Sequence, residues 1–180
     1  HAAAAQRELR FAFEGAANCS VVLQHLLGGS SHASAKFRNR EDTGAVAGNG
    51  SALWEDSYAF AEWLSRQPSP RDTASSLLPA AWRERGSWGG LTCVELGAGL
   101  GLAAIVAQKM GMQVYATDGD ASVLDLLKIN AHANADPGGG TGEVEVRALK
   151  WGERDNPLAA LGLARPPDLL VATGCVYGTS

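Results

Sequence analysis

Cys93-Val94-Glu95-Leu96-Gly97-Ala98-Gly99-Leu100-Gly101-Leu102 is the stretch on which the fold turns. The apolar run from Leu91 to Leu96, opened by Gly90, predicts a short buried strand. Three alternating glycines then break it, and Leu102 to Met110 continues with helical composition. Glycine lets the backbone turn tightly and lets a ligand approach the main chain with no Cβ in the way. The turn also presents N–H groups at a helix start, a favourable place for a carboxylate or phosphate. Taken alone, such a turn leaves a ligand-free reading standing.

The sequence downstream changes that balance. Met112 to Thr117 predicts a second strand, and Asp118 ends it about twenty residues after the glycines, where a carboxylate can accept both hydroxyls of a ribose. A lone Asp at a strand end is most often a turn or capping residue, but this separation favours an adenosine ligand. A dinucleotide fingerprint would need glycine where this chain has Leu102, so a nicotinamide cofactor is the lesser alternative. The GxGxG spacing, with Glu95 two residues ahead of it, suits S-adenosylmethionine. That ligand has no pyrophosphate, but it carries an ammonium that a carboxylate can help hold.

Outward from this centre the chain alternates between strand-like and helix-like segments. Asp120 to Asn134 has helical periodicity, Asp136 to Gly142 is a Gly-rich turn, Val144 to Leu149 predicts a third strand and Asp168 to Thr173 a fourth. The expected class is therefore α/β, a Rossmann-like, doubly wound and largely parallel sheet. Upstream, Leu53 to Leu64 predicts an amphipathic helix, with Trp54, Tyr58 and Ala61 at helical spacing. Glu8 to Gln24 alternates as a strand pair or hairpin, and His32 to Gly50 reads as a mobile loop. We divide the chain into residues 1–50, a strand pair with its loop, and residues 51–180, a partial Rossmann-like domain. Residues 66–90 form a linker or insertion with a short helix near Leu77 to Arg85.

These segments resemble, in order, the motifs of the family 16 lysine methyltransferases. Leu53 to Leu64 is similar to the family's tryptophan-bearing helix, Cys93 to Leu102 to its glycine motif, and Ala116-Thr117-Asp118-Gly119-Asp120 to its second motif. Asn130 to Asn134 resembles its helix end, Leu149-Lys150-Trp151-Gly152 its Leu-Asp-Trp-Gly, and Pro167 to Thr173 its fourth strand. The resemblance runs from about Gly50 to the C-terminus. It implies S-adenosylmethionine as cofactor and a protein lysine as acceptor. It also implies Trp54 bordering the cofactor, Glu95, Gly97 and Gly99 at its methionine end, Asp118 at its ribose, Trp151 at its adenine, and Thr173 at the end of the fourth strand. For Trp63 the expectation is ordinary core packing.

The family's fourth strand ends in Asp-x-x-Tyr, whereas this chain reads Gly174-Cys175-Val176-Tyr177. Tyr177 is the remaining catalytic candidate. Without the carboxylate, methyl transfer is expected to slow by about 10²-fold if that group serves as acid or base. Lys150 replaces the acidic residue before Trp151. The resemblance implies a seven-stranded sheet, so three further strands, or a partner protein covering the open edge, are expected beyond Ser180. A non-catalytic methyltransferase-like subunit of a larger assembly is the alternative function.

Composition bounds the rest. A formal net charge of −4 without a basic cluster argues against nucleic-acid binding. No apolar run is long enough for a bilayer. Cys19, Cys93 and Cys175 form no CxxC pair, and the histidines show no ligand spacing, so we expect no metal and a reducing, intracellular, cytoplasmic setting.

Overall fold

The computed structural model of the chain describes residues 6–14, 19–26, 50, 53–70, 79–136, 142–152 and 157–175. Tyr177 lies outside them, as do the expected loop over 32–49 and most of the Gly-rich turn at 136–142. Strands β1 (Gln6–Phe13) and β2 (Cys19–Leu26) pair as an antiparallel hairpin, with Leu9 opposite Leu23 and Phe13 opposite Cys19. Helix α1 (Glu55–Ser65) follows, then the short α2 (Ala80–Arg85) inside the expected insertion.

Four parallel strands form the main sheet: β3 (Thr92–Leu96), β4 (Gln113–Asp118), β5 (Val144–Ala148) and β6 (Leu169–Val171), in spatial order β5-β4-β3-β6. Helices α3 (Leu102–Lys109) and α4 (Ala121–Ala133) make the two crossovers, and a turn of helix, α5 (Pro157–Ala160), precedes β6. The chain steps outward from β3 to β5 and then returns to the other side of β3. This is the doubly wound, Rossmann-like arrangement that the alternation of segments implied. β6 is shorter than expected. Asp168 pins its start through its carboxylate, which accepts the Thr92 amide at 2.9 Å, and through its own amide, which donates to the Thr92 carbonyl at 2.8 Å. Gly174, at φ +62°, turns the chain away soon after its end.

Side-chain alternation along β3 and β4 sorts the core into two faces. Cys93, Val114 and Ala116 join the larger cluster with Leu102, Ile105 and Val106 of α3. α3 is buried along nearly its whole length, which explains why its periodicity is faint: every side has a neighbour. Ala61 and Leu64 of α1, and Phe13, Val21 and Leu23 of the hairpin, close the same core. Tyr58 bridges α1 to the hairpin, its ring centroid 5.8 Å from Phe11 and 5.9 Å from Phe13. On the opposite face Val94, Leu149 and Leu161 form a smaller cluster. Trp63 departs from the expectation of core packing. It is 50% exposed and leans on Phe60, because helical spacing turns it away from the line of Ala61 and Leu64.

The hairpin is tied down by two buried amides four residues apart on α4. Asn134 accepts the Val22 amide at 2.9 Å and donates to the Val22 carbonyl at 2.6 Å. Asn130 does the same for Gln24, at 2.7 and 3.1 Å. The pair completes the outer edge of β2 as a neighbouring strand would, so an edge that would otherwise present unpaired backbone is satisfied.

Asn134→Ala should therefore lower unfolding stability by about 1–3 kcal/mol, the cost of stranding buried backbone groups. Urea unfolding measures the loss, and amide exchange should accelerate at Val22 and Gln24 more than at Ile105. An unchanged midpoint would mean that apolar contact alone holds the hairpin.

Candidate functional site

The chain runs outward from β3 to β5 and returns to β6 on the other side of β3, and a crevice opens beyond the carboxyl ends of the strands. In this chain it is a cleft of about 390 Å³. The glycine turn after β3 forms its floor, Asp118 and Gly119 follow from β4, Lys150 and Trp151 from the segment after β5, and Thr173 to Cys175 from β6. Trp54 and Ser57 of α1 wall it from above the sheet.

The turn is held open by hydrogen bonds to β4. The Ala98 amide donates to the Thr117 carbonyl at 2.8 Å, and the Gly99 amide to Asp118 Oδ2 at 3.2 Å. Thr117 Oγ1 donates to the Glu95 carbonyl at 2.7 Å, and Asn130 Nδ2 to the Leu100 carbonyl at 3.0 Å. The glycines are required here. Gly97 has φ +63°, and a Cβ on it would stand 2.9 Å from Cys175 Sγ and 3.5 Å from the Trp151 ring. At Gly99, φ +54°, a Cβ would meet the Gly50 carbonyl oxygen at 3.0 Å. The small residue at 97 keeps the space between the turn and the indole as a cradle.

Asp118 Oδ1 accepts the Asp120 amide at 3.0 Å. A carboxylate has about four lone-pair positions, so both oxygens keep capacity for a ligand hydroxyl. Trp151 is 56% exposed and presents its ring beside the turn, a stacking face for a flat apolar group.

Glu95 stands apart from the lining residues. It is 1% exposed, and Oε2 accepts the Ala104 amide at 2.8 Å, capping the first turn of α3 in place of Gly101, which has no side chain to do so. Oε1 has no partner among the described residues. Burial pushes the acid up to about 8, against the Ala104 hydrogen bond and with help from the charge of Asp118. Cys175 donates its thiol to the Leu96 carbonyl at 3.0 Å, and burial followed by the charges of Glu95 and Asp118 raises it, so it is not a poised thiolate.

Of the residues singled out from sequence, the structure brings together Trp54, Gly97, Gly99, Asp118, Trp151 and Thr173 around one cleft. Glu95 is placed at the base of α3 instead, and Tyr177 falls outside the described residues. Ser57 and Cys175 were missed as lining residues. Ser57 was legible, three positions after Trp54 on one helix face; Cys175 depends on the turn at Gly174 and had no signal. Among the described residues no group of side chains could hold a metal ion, and no helix is long and apolar enough to cross a membrane.

Comparison with known proteins agrees with this geometry. A family model described as lysine methyltransferase matches residues 31–180. Methyltransferase-like protein 22 of Homo sapiens is 42% identical over 66 residues, 34% of this chain and 16% of that protein. Protein N-lysine methyltransferase METTL21A of Xenopus tropicalis is 45% identical over 60 residues, 33% of this chain and 27% of its own length. EEF1A lysine methyltransferase 3 of Mus musculus is 37% identical over 81 residues, covering 45% and 33%. The matched stretches thus span a third or less of these relatives.

The buried acid makes a testable mark on stability. With Glu95 pushed to about 8 from an ordinary 4.5, the folded chain keeps a proton that the unfolded chain has lost. Folding stability should fall as pH rises through that window, by about 1.4 kcal/mol per pH unit from this one group, and level off above it. Glu95→Gln cannot ionise, so the difference between variant and wild type, followed by urea unfolding from pH 5 to 8.5, should tilt steadily in the variant's favour. Parallel curves would show Glu95 ionised in the folded chain throughout.

Proposed function

The chain belongs to the lysine methyltransferase family, and on that premise we propose that it binds S-adenosylmethionine in this cleft and transfers the methyl group to the amine of a protein lysine. The observation that carries this is the meeting of the glycine turn and the Asp118 carboxylate, 3.2 Å apart, beyond the carboxyl ends of the neighbouring strands β3 and β4. The residues fit the ligand. Asp118 would take the ribose hydroxyls and Trp151 the adenine, and the cradle at Gly97 and Gly99 would take the methionine portion, with Trp54 and Thr173 bordering it. The unpartnered oxygen of Glu95 belongs to a buried acid two residues before Gly97, held protonated by burial, and a bound ammonium would favour its ionised form.

When bound, the ligand supplies a methyl group activated by a sulfonium and open to in-line displacement. The chain's own part is positioning, which alone can account for much of the barrier to a reaction of this kind. A lysine amine, with a solution pKa of about 10.4, must shed its proton before it can attack. Gly174 contributes no carboxylate for that step. This favours a second reading, a methyltransferase-like module without catalysis whose exposed β6 side, where Leu170 is 61% exposed, rests against a partner protein. Free thiols at Cys19, Cys93 and Cys175 support an intracellular, cytoplasmic setting.

Calorimetric titration with S-adenosylhomocysteine should give a micromolar dissociation constant, and Asp118→Ala should weaken it at least about 10-fold by removing charge-assisted acceptors. NADH should not bind. Transfer of labelled methyl to lysine in a protein extract would separate the enzyme from the non-catalytic module. Absence of homocysteine-ligand binding in the wild type would end the cofactor assignment.

A further inference from the structure

We propose that Asp56 is the anionic contact for the acceptor's ammonium at the β6 end of the cleft, because its carboxylate borders the space that the side-chain-less Gly174 leaves beside Trp54. This rests on the cofactor reading above. The strand order β5-β4-β3-β6 lays out the cleft from one end to the other. Trp151 and Asp118, assigned to adenine and ribose, follow β5 and β4, and the glycine turn follows β3. What is left for the acceptor is the end after β6, bounded by Thr173, Gly174 and the first turn of α1.

At that end a Cβ on Gly174 would stand 3.6 Å from Asp56 Oδ2, 3.6 Å from Trp54 Cβ and 3.7 Å from Trp54 Cγ. These are ordinary contact distances, so the position above Gly174 is a small gap with an indole on one side and a carboxylate on the other. A lysine side chain has the matching character, an apolar stem ending in a compact cation. The Trp54 ring suits the stem, and Asp56 suits the ammonium through a charge-assisted hydrogen bond. Glu55, next to Asp56 in the first turn of α1, adds to the negative potential at the same rim. Lys150, the cation that lines the cleft, belongs to its opposite end. Because Asp56 is exposed, the attraction is modest and weakens with salt.

Two related ligands read this out without an identified substrate. Sinefungin carries a primary ammonium where the transferable methyl would be, and S-adenosylhomocysteine has only a lone pair there. In low salt at neutral pH, Asp56→Asn should lower sinefungin affinity about 5-fold relative to S-adenosylhomocysteine, while the latter's own affinity stays within about 2-fold. Asp56→Glu should keep part of the preference, and added salt should erode it in the wild type but not in Asp56→Asn. A preference ratio unchanged by Asp56→Asn overturns the assignment, and so does an equal loss for both ligands, which marks a structural role. A wild-type chain that binds neither ligand overturns the cofactor reading itself, an outcome separate from binding with a flat ratio.

Discussion

A hydrogen bond of 2.8 Å from the Ala98 amide to the Thr117 carbonyl carries the pairing of β3 with β4 past the end of the strand and into the glycine turn. The turn is therefore an extension of the sheet, with its backbone direction set by the ladder beneath it. Once Ala98 is fixed, Gly99 lies within reach of Asp118, and the start of α3 lies within reach of Glu95. The cleft, the buried acid and the α3 cap all follow from that registration. The Leu149 amide does the same one strand further out, donating to the Asp118 carbonyl at 2.9 Å.

The hairpin and the turn share a support. Asn130 satisfies the Gln24 backbone with one set of bonds and the Leu100 carbonyl with another. A single buried amide thus couples the N-terminal strands to the backbone of the glycine turn. Such a residue uses nearly all of its hydrogen-bonding capacity, which makes it costly to replace by anything shorter or apolar.

The two faces of the sheet are unequal. The α3 face is covered by α3 and α4, by α1 and by the hairpin. Among the described residues the other has the small cluster around Val94 and a hollow of about 350 Å³ bounded by Leu96, Trp151, Leu161 and Leu170. Trp151 and Leu170 are each more than half exposed at its margin. Trp151 thereby borders both the cleft and the hollow.

Trp54, Trp151 and Thr173 came from the family resemblance, whereas local pattern was enough for the parallel α/β class, the hairpin, helix α1, Gly97, Gly99 and Asp118. Each depends on short-range periodicity or on a glycine spacing that few backbones share. Glu95 shows where such reasoning stops: its place two residues before the glycines pointed to a ligand, yet which of its oxygens is used depends on the distance to Ala104, nine residues on. Trp63 shows the same limit, since helical spacing names a face but not what lies opposite it. The approach of Asp56 to Gly174 joins residues more than a hundred positions apart and leaves no trace in either neighbourhood. Sequence set the elements through local backbone preference. Only the packing of α1 beside the end of β6, a matter of non-local contact, decided that Asp56 stands next to Gly174.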